Sequence, residues 1–450
     1  MNVKQGIVYF LGIGGIGMSA LARFFKAQGR EIHGYDLNPT PLTRQLQNEG
    51  MKIHYQENTN LIPDNVDYVV YTPAVPTSNT EYRYFEEKNI TIKKRAEILG
   101  EISKNYFTIA VGGTHGKTSI SMLTAHLLKS AGIAVTALVG GISKNYGTNF
   151  ISSDNAKVLV IEADEFDRSF LNLNPEIAII SSVDADHLDI YHSSEILKET
   201  FIKFAKRIKE NGTLILHQNL NGFFQQINRK KITYAADKKA DCQAENIKII
   251  ESEFVFDLKY NNLNIKNIAL QIPGIHYIEN ALAAVIAAAE AGMPLSLIKQ
   301  SLESFKGVER RFDYQIKNND IIFIDDYAHH PNELKVTIDA VLKLYPNKKI
   351  TGIFQPHLYS RTKDFYTEFA EALEKLDEII LLEIYPAREQ PLNGVSSKLI
   401  LKEIKNKNKK LISKKQLAEY LKNNKPEILL TLGAGDIGLM LNDIKKVLKQ

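Results

Sequence analysis

The sequence holds a single cysteine, Cys242, among 450 residues. That excludes a disulfide framework and any zinc site built from several thiolates. It also lacks a long apolar run. The longest candidate, residues 281–293, is broken by Glu290 and falls short of the roughly 18 residues that a membrane-spanning helix needs. Residues 7–22 have only a passing likeness to a signal peptide, because a spaced set of glycines runs through them. Neither charge is in excess: 56 basic and 52 acidic side chains leave a formal net charge of +4. So mild a balance suits anionic small molecules and does not call for nucleic acid. No internal repeat is visible. With 24% charged and 44% hydrophobic residues, wholesale disorder, a collagen-like repeat and a coiled coil are excluded. The expectation is a soluble cytoplasmic protein without membrane association, long enough for about three domains at roughly 150 residues each.

Strand and helix signals alternate from the start. Residues 7–11 form a short apolar run entering glycines, and residues 18–28 place Ala20, Leu21, Phe24 and Phe25 on one helical face. Residues 31–34 and 67–71 predict further strands, and 81–88 a further helix. This is βαβ patterning, which calls for a mostly parallel sheet covered by helices. A second unit opens near Lys104, with a strand at 108–111, a glycine loop, a helix at 119–131, and β-branched runs at 158–161 and 177–182 that suit buried parallel strands. Around Asn261-Asn262, short alternating segments predict a small antiparallel insertion. Helices follow at 279–291 and 296–304. Past Lys306-Gly307-Val308 comes a third unit, with strand-length runs at 321–324, 349–354, 378–382 and 428–432. The expected organisation is α/β throughout, in three domains: 1–103, 104–306 and 307–450. The lysine-rich stretch 398–415 reads as solvated helix faces and a loop.

Two glycine loops carry the chemistry. The first, Gly12-Ile13-Gly14-Gly15-Ile16-Gly17, is a G-x-G-x-x-G between a strand and a helix. Its glycines let the backbone turn tightly and approach a pyrophosphate at the positive end of the helix. Asp36, at the end of the second strand, can accept hydrogen bonds from a ribose. Together they indicate a diphosphate nucleotide without saying which: nicotinamide, flavin and a UDP-sugar all fit. The second loop is Gly112-Gly113-Thr114-His115-Gly116-Lys117-Thr118, with Val111 where the common P-loop has its first glycine. Gly113 and Gly116 can still turn backbone N–H groups toward phosphate oxygens. Lys117 can reach the β- and γ-phosphates, and the Thr118 hydroxyl can bind Mg2+. ATP or GTP binding is predicted. Glu162-Ala163-Asp164-Glu165 follows the strand where a P-loop protein places another Mg2+ ligand, and Asp184-Ala185-Asp186-His187 follows the next strand. Mg2+ prefers oxygen ligands, so His187 stands as a ligand or a phosphate contact. A dehydrogenase has no need of the second loop, and an ordinary ATPase none of the first. An enzyme that uses one nucleotide to activate a group carried on another needs both.

Beyond the loops the chain resembles the Mur ligases, the ATP-dependent amide-forming enzymes of peptidoglycan synthesis, over nearly its whole length. The likeness is carried by EADEFDRSF (162–170), DADHLD (184–189), PGIHYIENALAA (273–284), GVERRFD (307–313), DDYAHHPNE (325–333), FQPHLYSRT (354–362) and GAGDIG (433–438). It implies a Rossmann-like UDP-binding domain, a P-loop-type central ATPase domain and a Rossmann-like C-terminal domain that receives the amino acid. It implies the joining of L-alanine to the lactyl carboxylate of UDP-N-acetylmuramate through an acyl phosphate, with ATP and Mg2+, by a monomer or homodimer. The alternative is the recycling reaction, which attaches a preformed tripeptide to the same nucleotide.

Residue by residue, the resemblance implies that Gly12, Gly14, Gly15 and Gly17 hold the UDP diphosphate and Asp36 the uridine, with Thr72, Ala74 and Arg95 facing the muramyl nucleotide. Gly113, Thr114, His115, Gly116, Lys117, Thr118 and Ser119 would cradle ATP, and Thr118, Glu162 and His187 would hold metal. Glu165 is a weaker candidate in the same motif. His276 and Asn280 fall in the adenine segment. Arg311 matches an arginine that reaches ATP from the next domain, and Asp326 an acid near its ribose and phosphates. His329, His357 and Arg361 match the positions that receive alanine, and an arginine clamps a carboxylate with two parallel charge-assisted bonds. Lys117, His187 and His330 are the expected catalytic groups. The chain departs from the family pattern at Tyr277, where asparagine is common, and at Leu358, where a second arginine is found.

Overall fold

The computed structural model describes residues 6–184, 191, 193–236, 238–387 and 389–449. Three sheets organise it. The first takes β1 (Ile7–Leu11), β2 (Glu31–Tyr35), β3 (Lys52–His54), β4 (Val66–Tyr71) and β5 (Ile92–Lys94) in the order β3-β2-β1-β4-β5, parallel throughout. Strand order reverses between β1 and β4, and a crevice opens beyond the carboxyl ends of strands at such a point. The first glycine loop follows β1 and Thr72 follows β4, so both stand at that crevice.

The central sheet takes β6 (Phe107–Gly112), β7 (Val135–Leu138), β8 (Phe150–Ile151), β9 (Val158–Glu162), β10 (Ile177–Ile180), β11 (Thr213–His217), β12 (Lys230–Ala236), β13 (Cys242–Ile250), β14 (Glu253–Tyr260) and β15 (Leu263–Leu270). Their order is β15-β14-β13-β12-β11-β10-β6-β9-β7-β8. β6 lies between β9 and β10, parallel to both, with every residue of β10 buried. The loop after β6 therefore emerges beside Glu162, the last residue of β9. The expected antiparallel insertion is the hairpin β14–β15, turning at Asn261 with φ 49°, and it extends the edge of this sheet instead of standing apart.

The third sheet takes β16 (Asp313–Lys317), β17 (Ile322–Asp326), β18 (Ile350–Phe354), β19 (Glu378–Leu381), β20 (Lys409–Leu411) and β21 (Ile428–Leu432) in the order β16-β17-β21-β18-β19-β20. Only β16 runs antiparallel. β20 falls in the lysine-rich stretch, and its lysines are bonded. Lys409 Nζ donates to the Leu401 carbonyl at 2.8 Å, and Lys410 Nζ meets Glu378 at 2.8 Å.

By packing, the chain divides into two compact units. One comprises Met1–Glu245, Leu258–Ile265 and Glu279–Phe305, the other Asn246–Asp257, Lys266–Ile278 and Lys306–Gln450. In the first unit the core runs without a break from the helix Ile16–Ala27 to the central sheet: Phe24, Phe25, Leu138, Phe170, Phe201 and Phe204 belong to one buried cluster. Phe170 stacks on Phe204 with centroids 4.7 Å apart. Each such ring contributes about 1.5–3 kcal/mol by leaving water. The second unit has its own core around Phe323, Ile353, Ile380 and Leu429. Among the described residues no helix is long and apolar enough to cross a membrane.

Candidate active site

In the first unit the first glycine loop borders a cavity of about 190 Å3 that reaches to Glu162, the neighbour of the second loop. It is lined by Gly15, Gly17, Thr72 and Arg95 from the first sheet's side and by Val139, Gly140, Glu162 and Asp164 from the central sheet's side. Gly12 has φ +84°, and a Cβ there would lie 2.5 Å from Thr72. The Gly14 N–H donates to Asp36 Oδ2 at 2.7 Å. Asp36 thus holds the loop itself, and its other oxygen faces the neighbouring backbone of Asn38. Ala74 is exposed beside Thr72. Arg95 lies under Gly17 and pairs with Asp164 at 3.6 Å.

The second loop is braced from below. Gly113 at φ +127° packs its backbone so closely that a Cβ would stand 2.2 Å from Ser181 Oγ. Thr114 Oγ1 lies 2.8 Å from Ser182 Oγ, which also accepts from the His115 N–H at 2.9 Å. His115 Nε2 faces Asp184 at 3.4 Å. Gly116 caps the helix Lys117–Ser130 in the left-handed region, and Asn280 lies against it: a Cβ on Gly116 would be 2.7 Å from Asn280 Oδ1. The helix that follows is buried from Thr118 to Leu128, with Thr118 and Ser119 each 8% exposed. Its positive end is therefore aimed into the loop.

Lys117 Nζ donates to both carboxylate oxygens of buried Glu165 at 2.8 Å and to the Gly113 carbonyl at 2.7 Å. Burial alone would lower the Lys117 ammonium; Glu165, Asp164 and Glu162 outweigh it and hold the ammonium above its usual range. Burial pushes the Glu162 carboxyl up, opposed by the Gly140 N–H, Lys117 and the Thr118 hydroxyl. The Gly140 bond is 2.6 Å. A carboxylate and a hydroxyl in contact at the mouth of a phosphate loop are hard oxygen donors of the kind Mg2+ takes, with phosphates supplying the remaining positions. His187 lies outside the described residues.

The second unit gathers the other expected residues. Asp326, at the end of β17, is buried and accepts from the Phe312 N–H at 2.7 Å and the Ala328 N–H at 2.8 Å. Burial raises its carboxyl to about 7, although Arg311 and those two N–H groups pull it down. Arg311 is held charged against burial by Glu333, Asp326 and Tyr277. Tyr277 is 7% exposed and its hydroxyl is pushed well above the usual range by burial, with Asp326 adding to it. The departure at this position thus places a phenol beside the Arg311–Asp326 pair. His276 stacks obliquely on Tyr277, centroids 4.3 Å apart.

The paired histidines differ in role. His330 is the N-cap of the helix Pro331–Leu344: its Nδ1 accepts from the Asn332 N–H at 3.3 Å, with Pro331 in the first turn. An accepting Nδ1 puts the ring proton on Nε2. His329 is the reverse. Its Nδ1 lies 3.0 Å from the Tyr327 carbonyl and 3.2 Å from Glu333 Oε2, two acceptors, so Nδ1 carries a proton and Nε2 is the basic nitrogen of the neutral ring. Glu333 Oε2 also accepts from the His329 N–H at 3.0 Å and the His330 N–H at 3.2 Å. Glu333 was not among the expected site residues; its signal is the acid three positions after the cap, with proline between.

His329 meets the His357 ring at 5.9 Å, and His357 stacks on Tyr385 at 5.8 Å. Leu358 follows with φ +70° and ψ 139°, a conformation rare outside glycine, and is 6% exposed. A buried aliphatic chain there offers no charge to a carboxylate; Arg361, three residues on, is 7% exposed. Glu389 accepts from the Ser360 N–H at 3.0 Å and so caps the helix that carries Arg361. Arg310 is tied to Asp325 at 3.0 Å and to the Gly433 carbonyl at 2.6 Å, which gives it a structural task. Cys242 is fully buried.

Three family models match successive segments of the chain. The Mur ligase family catalytic domain matches residues 7–107, the Mur ligase middle domain residues 111–288, and the Mur ligase glutamate ligase domain residues 310–435. A UDP-N-acetylmuramate–L-alanine ligase of Flavobacterium psychrophilum is 47% identical over 457 residues, covering 100% of both chains. Its counterpart in Phocaeicola vulgatus is 46% identical over 96% of this chain and 95% of its own. The crystal structure of a UDP-N-acetylmuramate–alanine ligase from Thermotoga maritima superposes with a TM-score of 0.83 at 27% identity, covering 98% of each chain. A murein peptide ligase of Psychrobacter arcticus, at 22% identity and a TM-score of 0.73, shares the fold.

Proposed function

The chain belongs to the Mur ligase family, and we propose from that premise that it joins L-alanine to the lactyl carboxylate of UDP-N-acetylmuramate at the expense of ATP. One observation supports the reading: the diphosphate loop shares a single cavity with Arg95, Asp164 and Glu162, and the Glu162 carboxylate meets the Thr118 hydroxyl of the γ-phosphate loop. That is the layout needed to bring a carboxylate on one nucleotide to the terminal phosphate of another.

In the first step the lactyl carboxylate oxygen attacks the γ-phosphorus, the bond to the β-phosphate oxygen breaks, and an acyl phosphate and ADP result. Two anions must approach. Lys117, held charged beside Glu165, and the positive end of the helix it opens would stabilise the charge that builds up. Thr118 and Glu162 fit Mg2+, with His187 as a further proposed ligand, and a divalent cation there would offset the repulsion further. Arg95 would take the nucleotide's anionic side and Asn280, beside Gly116, the base, with His276 a further candidate from the family likeness.

In the second step the neutral amine of alanine attacks the acyl carbon and phosphate leaves. The alanine ammonium must first lose a proton. His329 is the better acceptor of the pair because its lone pair is on Nε2, while His330 serves as a cap. Arg361 and His357 receive the amino acid. Release of phosphate that depends on both UDP-N-acetylmuramate and alanine tests the reading.

A further inference from the structure

We propose that Asn149 is a positioning residue that holds the diphosphate loop in register with the metal-binding carboxylate Glu162; the inference rests on the ligase reading above. Asn149 stands just before β8 at the edge of the central sheet. It and Ser19 are fully buried, and Arg23 is 5% exposed.

The whole amide is engaged. Nδ2 donates to the Ile16 carbonyl at 2.7 Å and to the Ser19 hydroxyl at 2.9 Å, while Oδ1 accepts from Arg23 Nη1. A flipped amide would set its NH2 against the guanidinium and its oxygen against a carbonyl, so the orientation is determined. Ile16 and Ser19 form the first turn of the helix that the glycine loop opens, and the Ser19 N–H donates to the Gly15 carbonyl at 2.8 Å. Arg23 is clamped from its other side by Glu49, at 2.7 and 2.9 Å.

The backbone of the same residue reaches the other loop. The Asn149 carbonyl accepts from the Val139 N–H at 3.0 Å, and the next N–H, that of Gly140, donates to Glu162 at 2.6 Å. One residue thus connects the turn that holds one nucleotide to the carboxylate that faces the other. Apolar packing, such as Phe24 on Phe150, is non-directional and does not set a register; a satisfied buried polar cluster does. The reaction depends on the separation of the two nucleotides, not on either loop alone.

The test compares the full-length wild type with Asn149→Ala, Asn149→Asp and Ser19→Ala, measuring binding of ATP and of UDP-N-acetylmuramate separately, melting temperature, and kcat for the complete reaction. Asn149→Asp keeps an acceptor for Arg23 and the backbone link but cannot donate to Ile16 or Ser19. Both dissociation constants should stay within ~3-fold while kcat falls about 10- to 100-fold in either Asn149 variant, as misplacement by about 1 Å entails. Ser19→Ala should fall less. If Asn149→Ala does not fold, Asn149→Asp and Ser19→Ala carry the same comparison. The proposal is overturned by a folded Asn149→Asp that turns over like the wild type, or by a kcat loss matched by an equal loss of ATP binding. A wild type that forms no amide defeats the ligase reading and this proposal together; an active wild type with an active Asn149→Asp defeats this proposal alone.

Discussion

Lys117 and Glu165 form a buried ion pair in which the ammonium lies 2.8 Å from both carboxylate oxygens. The lysine proposed to act at the γ-phosphate is held in place and held charged by this pair. Lys117→Ala should leave a folded protein with no phosphate release. Glu165→Gln removes the chief opponent of burial, so the ammonium's titration should move to lower pH. The alkaline limb of the kcat profile should shift down with it, and kcat should fall by ~10-fold or more, the scale of one preorganised charge. An unshifted limb would count against the pair's role.

Asp326 is a second charge held under tension. Its carboxyl titrates near 7 in the folded protein because it is buried, against about 3.9 when unfolded. Here the folded state binds the proton more tightly, so the group favours the fold below that window and its contribution is lost as pH rises toward 7. Between pH 5 and pH 8 the loss is about 3 kcal/mol at 1.36 kcal/mol per unit. Thermal melts of the wild type and Asp326→Asn across that range should converge or cross as pH rises. Parallel curves would refute the assignment.

The two histidines separate by substitution. Asn is also a good N-cap, so His330→Asn should keep both the helix and most of the activity, whereas His330→Ala should cost about 1 kcal/mol of stability. His329→Asn should lower kcat by ~100-fold or more if Nε2 takes the alanine proton. Denaturant melts and alanine-dependent kinetics on the three variants decide this, and equal losses in both asparagine variants would contradict the division.

The thiol takes no part. Burial raises the Cys242 thiol far above its usual range, so it is neither exposed nor ionised at neutral pH. Alkylating reagents should label it only after unfolding, and the native enzyme should be indifferent to them. Inactivation that follows labelling of the native protein would overturn this.

Much of the scaffold is legible in the residues themselves. Ile7–Leu11 and Ile428–Leu432 are buried parallel strands whose apolar runs have no other use, and Gly116-Lys117-Thr118 opens a helix as its pattern requires. The short strands β3, β5 and β20 are not, because Lys52–His54, Ile92–Lys94 and Lys409–Leu411 owe their pairing to the neighbouring strand, not to an apolar pattern of their own. The loops declared their ligand class, but the choice of UDP-sugar over dinucleotide came from likeness, since both put a diphosphate on the same turn. Contacts between distant positions were hidden. Nothing local ties Asn149 to Ile16, Lys117 to Glu165 or Glu333 to the pair of histidines. His330 was expected to be catalytic from the family likeness; the helix-end bond of its Nδ1 depends on the fold and is not legible in the sequence.

The most direct measurement supplies purified protein with ATP, Mg2+, UDP-N-acetylmuramate and either L-alanine or the preformed tripeptide, and follows phosphate and the nucleotide product by mass. The account predicts stoichiometric ADP, phosphate and UDP-N-acetylmuramoyl-alanine with alanine, and little product with the tripeptide. Tripeptide transfer without alanine transfer, or no adduct under saturating conditions, would contradict it.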